Sequence, residues 1–365
     1  MSHPYADFDE TGTEIVGTDG NVVLKSGTNG QCSSFLATDE TDHSVTVFPD
    51  IKLKVDGSSL TRNVNIGTNQ TTDVACTDTV QIGNDSSVVG FRNICIGDNV
   101  IHELADDAIC IGTNSTTNGY GTVAIGLNAE SKAFACISIG QESGTTVYNQ
   151  NQNVNIGYRS GNSANTINSI NIGNLAGQIH TTSTSTDRVL IGRLAGNNNC
   201  ASEAVGIGYL ALQTNAGIKT VGVGYGAGNS NSGNDCVSIG TSANGSGTGQ
   251  PNIISIGNGA GAYRAEQNSI NIGYFAGYNR GNPYSVNLGY ETGRQGGGDY
   301  NVLIGYKAGR TNTNRHRTIV LNATSSELNA DGTDRFFVKP IRNQTDLTGL
   351  SQLYYNPTTG EITYA

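Results

Sequence analysis

Tryptophan is absent from the chain, methionine occurs once, at the first position, and only 36% of the 365 residues are hydrophobic. That inventory does not supply one ordinary globular core of this size. Proline occurs only 6 times against 50 glycines, which excludes a collagen triple helix and a proline-rich linker. Basic residues are few, 20 Lys and Arg against 30 Asp and Glu, and the net charge of −10 without a basic stripe argues against nucleic acid as a partner. No stretch approaches the roughly 18 apolar residues of a membrane span. The opening MSHPYADFDE has neither the basic segment nor the apolar run of a secretory signal. These absences predict a soluble chain made in a cytoplasm, with no membrane insertion.

Cysteine pairing is also missing. Cys32, Cys76, Cys95, Cys110, Cys136, Cys200 and Cys236 are odd in number and show no C-x-x-C spacing, so they fit neither a disulfide framework nor a zinc site. They are expected to be free, small apolar residues. The histidines (His3, His43, His102, His180, His316) have no metal-ligand spacing, and the carboxylates near Asp106 and Asp331 lack that of a calcium loop.

What the chain has is a repeat. SINIGNLAG starts at Ser169 and SINIGYFAG at Ser269. Aligned on the glycine of I-G, copies end at Gly67, Gly83, Gly97, Gly112, Gly126, Gly140, Gly157, Gly173, Gly192, Gly208, Gly224, Gly240, Gly257, Gly273, Gly289 and Gly305. The interval is about 14 to 16 residues, the mark of a stacked solenoid or roll. Three residues before each glycine stands a Val or Ile, and one residue before it an Ile, except for Val223 and Leu288. Fixed apolar positions alternating with a variable one predict a short strand, V-x-I, with the fixed face buried. The expected core therefore includes Val154, Ile156, Gly157, Ile170, Ile172, Gly173, Ile270, Ile272, Gly273, Val302, Ile304 and Gly305. Ala176, Ala195, Ala211, Ala227, Ala243, Ala260, Ala276 and Ala308 follow three residues after the glycine and suit a second stretch returning across a thin coil.

NVNIGTN, NICIGDN, VAIGLNAE and CISIGQES, within residues 61 to 310, resemble the head repeat of trimeric autotransporter adhesins. The resemblance implies a parallel β-roll in which three chains pack side by side. The C-terminal FFVKPIRN and LYYNPTTGEITY, between residues 336 and 364, resemble the segment that precedes the endosialidase-type intramolecular chaperone in fibres and spikes of phages and large DNA viruses. That likeness implies trimerisation, and a mature fibre from which the chaperone has been cut. Residues 1 to 60 lack the repeat and are expected to form a β-rich cap or attachment region.

Other motifs yield to the repeat. Gly206, Gly208 and Ala211, like Gly222, Gly224 and Ala227, fit G-x-G-x-x-A, but the repeat generates this pattern with no helix to follow, so no cofactor is expected. Tyr158, Tyr209, Tyr225, Tyr274, Tyr290 and Tyr306 directly follow the repeat glycine and are expected in one column, for stacking or for binding a surface ligand such as sugar rings. Asn65, Asn155, Asn171, Asn271 and Asn287 lie between the apolar columns and predict hydrogen-bonded ladders.

The sequence thus predicts an all-β chain: a parallel β-solenoid of about 16 short coils over residues 61–310, a β-rich trimerisation segment over 311–365, and a side-by-side homotrimer. The expected function is a structural virion fibre or spike that presents or mediates attachment to a host-surface glycan or protein, with other virion proteins as further partners. It would be assembled in the host cytoplasm, with no enzymatic activity. A bacterial autotransporter-like adhesin and a polysaccharide-cleaving spike are the alternatives.

Overall fold

Each V-x-I triplet forms a strand of three or four residues, and each strand lies parallel to those of the coils before and after it. In the computed structural model the described residues are 76–365, apart from 104, 146–150, 163–165, 179–184, 199, 215, 231–232, 247–248, 280–281 and 347. The strands Ile15–Val16, Val22–Val23, Val64–Ile66 and Thr71–Thr72 are described as well. Among these residues there are strands and turns and no helix. The chain divides into Met1–Ser58, whose described part is one antiparallel pair, and Ser59–Ala365, which holds a parallel β-solenoid of about 15 turns.

The register is constant. Val154 pairs with Ile170, Asn155 with Asn171 and Ile156 with Ile172, and equivalent residues align from Val64–Ile66 onward. The ladder continues past residue 310, through Ile319–Asn322 to Phe336–Lys339, so two further strands extend the shaft into the segment expected to be separate. On the return side of the early coils, two-residue strands from Thr71–Thr72 to Glu130–Ser131 make a five-stranded parallel sheet. Later coils keep only bridges there, such as Asn198 to Thr214 and Thr214 to Ser230.

The buried face is the opposite of the one expected. The variable residue of V-x-I points inward: Asn155, Asn171, Leu190, Ser238, Ser255, Asn271, Asn287 and Leu303 are buried. Val154, Ile156, Ile172, Ile270, Ile272 and Val302 are half-buried, Ile170 and Ile304 are exposed, and Gly157, Gly173, Gly273 and Gly305 are half-buried at the corner. Within one chain these residues are not the core. The cause is width. A coil this short encloses a narrow interior, which the fully buried Ala176, Ala195, Ala211, Ala227, Ala243, Ala260, Ala276 and Ala308 already fill from the return side. Opposite them there is room mainly for Ser, Cys, Ala, Asn or Gly, with an occasional Leu, and the β-branched columns are left outside.

The glycine fixes the rise. Gly157 has φ +129 and donates its N–H to Ile139 O at 2.8 Å in the preceding coil. A Cβ there would lie 2.6 Å from the carbonyl oxygen of Gly173 in the next coil. Both the backbone conformation and the contact exclude any side chain. Other corners adopt the left-handed conformation without glycine: Asn168 (φ 53), Leu175 (φ 58), Glu203 (φ 55) and Tyr284 (φ 56). Such conformations carry strain. It is offset by bonds to the neighbouring coil, as in Leu175 N–H to Tyr158 O at 2.9 Å.

The asparagine ladders form where copies are adjacent: Asn171 Nδ2 donates to Asn155 Oδ1 at 2.9 Å, and Asn287 Nδ2 to Asn271 Oδ1 at 2.8 Å. The Asn65 side chain and Cys32 lie outside the described residues. The other six cysteines are buried as thiols outside any disulfide, and burial pushes the thiol of Cys200 up to about 11. His102 is buried between Thr117 Oγ1 and the carbonyl of Ala105, the latter at 2.9 Å from Nε2.

Two predictions follow from these contacts. Gly157→Ala should lower the thermal unfolding midpoint, at a cost of about 3 kcal/mol or more from strain and overlap together; a melt followed by circular dichroism measures it. Burial lowers the pKa of His102 from its ordinary value of 6.5. The unfolded chain then binds a proton that the folded chain refuses, so stability present at neutral pH falls as the pH drops through 6.5. Urea midpoints at about pH 7.5 and about pH 5.5 should differ more in the parent than in His102→Gln.

Candidate functional site

Turned outward, the β-branched columns make a continuous apolar strip. Ile170, Ile191, Ile207, Ile239, Leu288 and Ile304 are each 37–41% exposed and the members between them are half-buried, so the strip reaches solvent along the shaft. Coils rising by about 4.8 Å, with two columns about 7 Å apart, give a strip roughly 75 Å long and, with side chains, about 10 Å wide. That area of about 750 Å² exceeds the roughly 300–600 Å² of the largest apolar patch on a typical monomer.

A polar rim borders the strip on its valine side, two residues before each strand. Arg92 Nε reaches Asp107 Oδ1 at 2.5 Å and Arg317 Nε reaches Asp334 Oδ1 at 2.5 Å, each pair joining adjacent coils. Hydrogen bonds from these arginines hold the Asp107 and Asp334 carboxyls below the usual carboxylate range. Both pairs are exposed, so they shape the rim more than they stabilise the fold. Tyr284 and Tyr300 stack in the same column with centroids 5.0 Å apart.

The tyrosines after the repeat glycine border the other side of the strip, and they form three groups where one column was expected. Tyr158 stands apart, with Arg159 over its ring at 5.1 Å. Tyr209 and Tyr225 meet edge-on at 5.3 Å, with Arg193 4.4 Å above Tyr209. Tyr274, Tyr290 and Tyr306 stack in sequence at 5.2 and 5.4 Å, inclined by 12° and 10°. Asn174, Arg193, Thr241 and Asn258 occupy the same position in the intervening coils and break the column.

The last group belongs to a larger array that the sequence reading missed. Beside the stacked tyrosines run Phe275, Glu291 and Lys307, and beyond them Tyr278, Arg294 and Arg310, on three successive coils. Tyr278 packs edge-on against Tyr263 at 4.8 Å and Phe275 packs on Tyr278 at 4.4 Å, while Arg294 lies 5.1 Å above Phe275. Glu291 is buried and draws the cations together: Arg294 Nη1 is at 2.6 Å, Arg310 Nε at 2.8 Å and Lys307 Nζ at 3.9 Å. The available signal was positional. Five residues after the repeat glycine the preceding coils carry Gln178, Asn197, Gln213, Asn229 and Gly245, and only these last coils carry Tyr278, Arg294 and Arg310.

Gly206 and Gly222, from the G-x-G-x-x-A stretches, sit within strands with the coil interior on their side, away from any turn that could cradle a phosphate. Among the described residues no group of three or more His, Cys, Asp or Glu side chains is placed to hold a metal ion, and no helix is long and apolar enough to cross a membrane. No protein-family model matches the chain, and no curated protein matches it.

Glu291→Ala should leave three cations without their shared buried partner and lower stability by about 2 kcal/mol, below the cost at a fully buried pair because the arginines are partly solvated. The shift of the urea midpoint measures this.

Proposed function

We propose that the chain is the structural protein of a homotrimeric virion fibre or spike, with the outward Val and Ile strip as the contact between copies. The observation that carries this reading is the strip itself: a face of β-branched residues, broken only by Leu288, that runs the length of the shaft and is larger than the apolar patches of ordinary monomers. A partner matching it along its whole length needs the same rise per coil, which a second and a third copy of this chain supply. The number three rests on the resemblance of the V-x-I-G repeat to adhesin heads.

The C-terminal segment supports the same reading. Leu353–Tyr355 and Ile362–Tyr364 form an antiparallel hairpin in which every residue is exposed, Leu353 by 75% and Tyr364 by 77%. An isolated two-stranded hairpin is marginal in water. Its apolar side chains are suited to packing against the same hairpin of sister chains. Buried thiols outside any disulfide fit assembly in a reducing host cytoplasm before display on the virion surface. The shaft would then present attachment sites to the host surface, without catalysis.

Light scattering on the purified chain should give a mass near three times 38.0 kDa, unchanged on dilution. Ile172→Asp combined with Ile207→Asp places charges on the strip without touching the coil interior and should shift the mass toward 38.0 kDa. A monomeric parent, or a variant that keeps the parent's mass, would sink the proposal.

A further inference from the structure

We infer that the corner formed by the three coils from Gly273 to Arg310 binds an acidic glycan laid along the shaft. This deepens the attachment reading above, since it names the site and the chemical class of the ligand.

The orientation of the rings favours an anionic ligand. Tyr274, Tyr290 and Tyr306 stack within 12° of parallel, so their faces are turned toward one another and their rims and hydroxyls toward solvent. The face of Tyr306 is also approached by Lys307 Nζ at 4.9 Å. A ring rim is the positive part of the aromatic quadrupole, and the phenol adds an O–H donor. Nucleic-acid bases and the apolar face of a neutral sugar both need ring faces to stack on, and the ladder offers few. An anionic group suits the rims.

The local charge favours an anion as well. In a chain of net charge −10, this corner gathers Arg294, Lys307 and Arg310 around Glu291, with Glu327 reaching Arg310 at 3.3 Å. The side chains of the three cations are 26–27% exposed, whereas that of Glu291 is 8% exposed beneath them. Glu327 is itself 29% exposed, so three cations stand against two carboxylates and the corner keeps one net positive charge in a molecule that is acidic as a whole.

Repetition sets the form of the ligand. The phenols recur on all three coils and the arginines on the last two, at the rise of one coil, about 4.8 Å. The ligand that engages them in register is an extended polymer with its own short repeat and an acid on its units. An extended glycan bearing carboxylates or sulfates has that form.

Calorimetric titration of the intact chain with an oligogalacturonate, a heparin oligosaccharide and neutral cellohexaose tests the inference. At least one acidic probe should bind about tenfold or more tightly than cellohexaose, and more weakly as salt rises; which one binds separates carboxylate from sulfate recognition. Tyr290→Ala and Lys307→Gln should each weaken binding by about tenfold, and Tyr158→Ala should leave it unchanged. The inference is overturned if neither acidic probe binds, if cellohexaose, a single-stranded oligonucleotide or polyglutamate binds as tightly, or if Tyr290→Ala binds like the parent. Light scattering on the same samples separates the two proposals. A loss of mass in Tyr290→Ala would place the ladder at the seam between copies and end the glycan inference while leaving the fibre standing. A monomeric parent that still binds the acidic probe would end the fibre reading alone.

Discussion

The close approach of successive coils at the repeat glycine is the constraint from which the rest of the structure descends. The repeat glycines from Gly83 to Gly289 bond to the coil before and press against the backbone of the coil after, as Gly157 does between Ile139 and Gly173. The rise is thereby held constant, and residues at one position of the repeat line up in columns. Once columns exist, what favours a side chain is its fit to the copies above and below. Asparagines then form ladders, tyrosines stack, and opposite charges such as Arg92 and Asp107 pair between coils. A stack of this kind has little core per coil and depends on its neighbours for stability.

That constraint also explains which parts were legible in the sequence. The period, the strand positions and the alanine return column could be read because each is a statement about spacing. The inward face could not. Alternation shows that Val154 and Ile156 share a face and that Asn155 lies on the other, but it is symmetric about which face is inside. The habit of burying the larger apolar residues gave the wrong answer, because the narrow interior is filled mostly by residues such as Ser138, Ala124 and Cys110 and takes a Leu only at coils such as those of Leu190 and Leu303. The left-handed corners were invisible for a related reason: Leu175, Glu203 and Tyr284 carry no glycine to mark them, and their conformation is held by N–H bonds to the preceding coil. Tyr274, Tyr290 and Tyr306 were legible as a column, while Arg294 and Arg310 appeared only as isolated charges until the coils were stacked.

The three surfaces of the coil carry different freedoms. The interior takes mostly small side chains or those that bond within it, with a Leu at Leu190 and Leu303, and the outward strip stays β-branched, apart from Leu288, from the first coils to Val302 and Ile304. The corner after the glycine follows neither rule. It carries Asp98, Leu127 and Asn174 in some coils and tyrosines in others. Residues there cost the stack little, provided the backbone turn is kept.

From this division it follows where a stacked coil can acquire specificity. A strip that is the same at every level can join copies of one chain but cannot distinguish one level from another. Distinction has to come from the corner, where three adjacent coils depart together from small polar residues to tyrosine, phenylalanine, lysine and arginine around a buried glutamate. The departure is local: the preceding coil carries Asn258 and Gly259 where these coils carry tyrosine beside Phe275, Glu291 or Lys307. Stacking alone does not call for it, since the strands of the earlier coils pair in the same register without it. A buried carboxylate that holds three cations near the surface shapes a surface potential as well as a contact, and that is the property by which one level of a uniform shaft becomes distinguishable to a charged ligand.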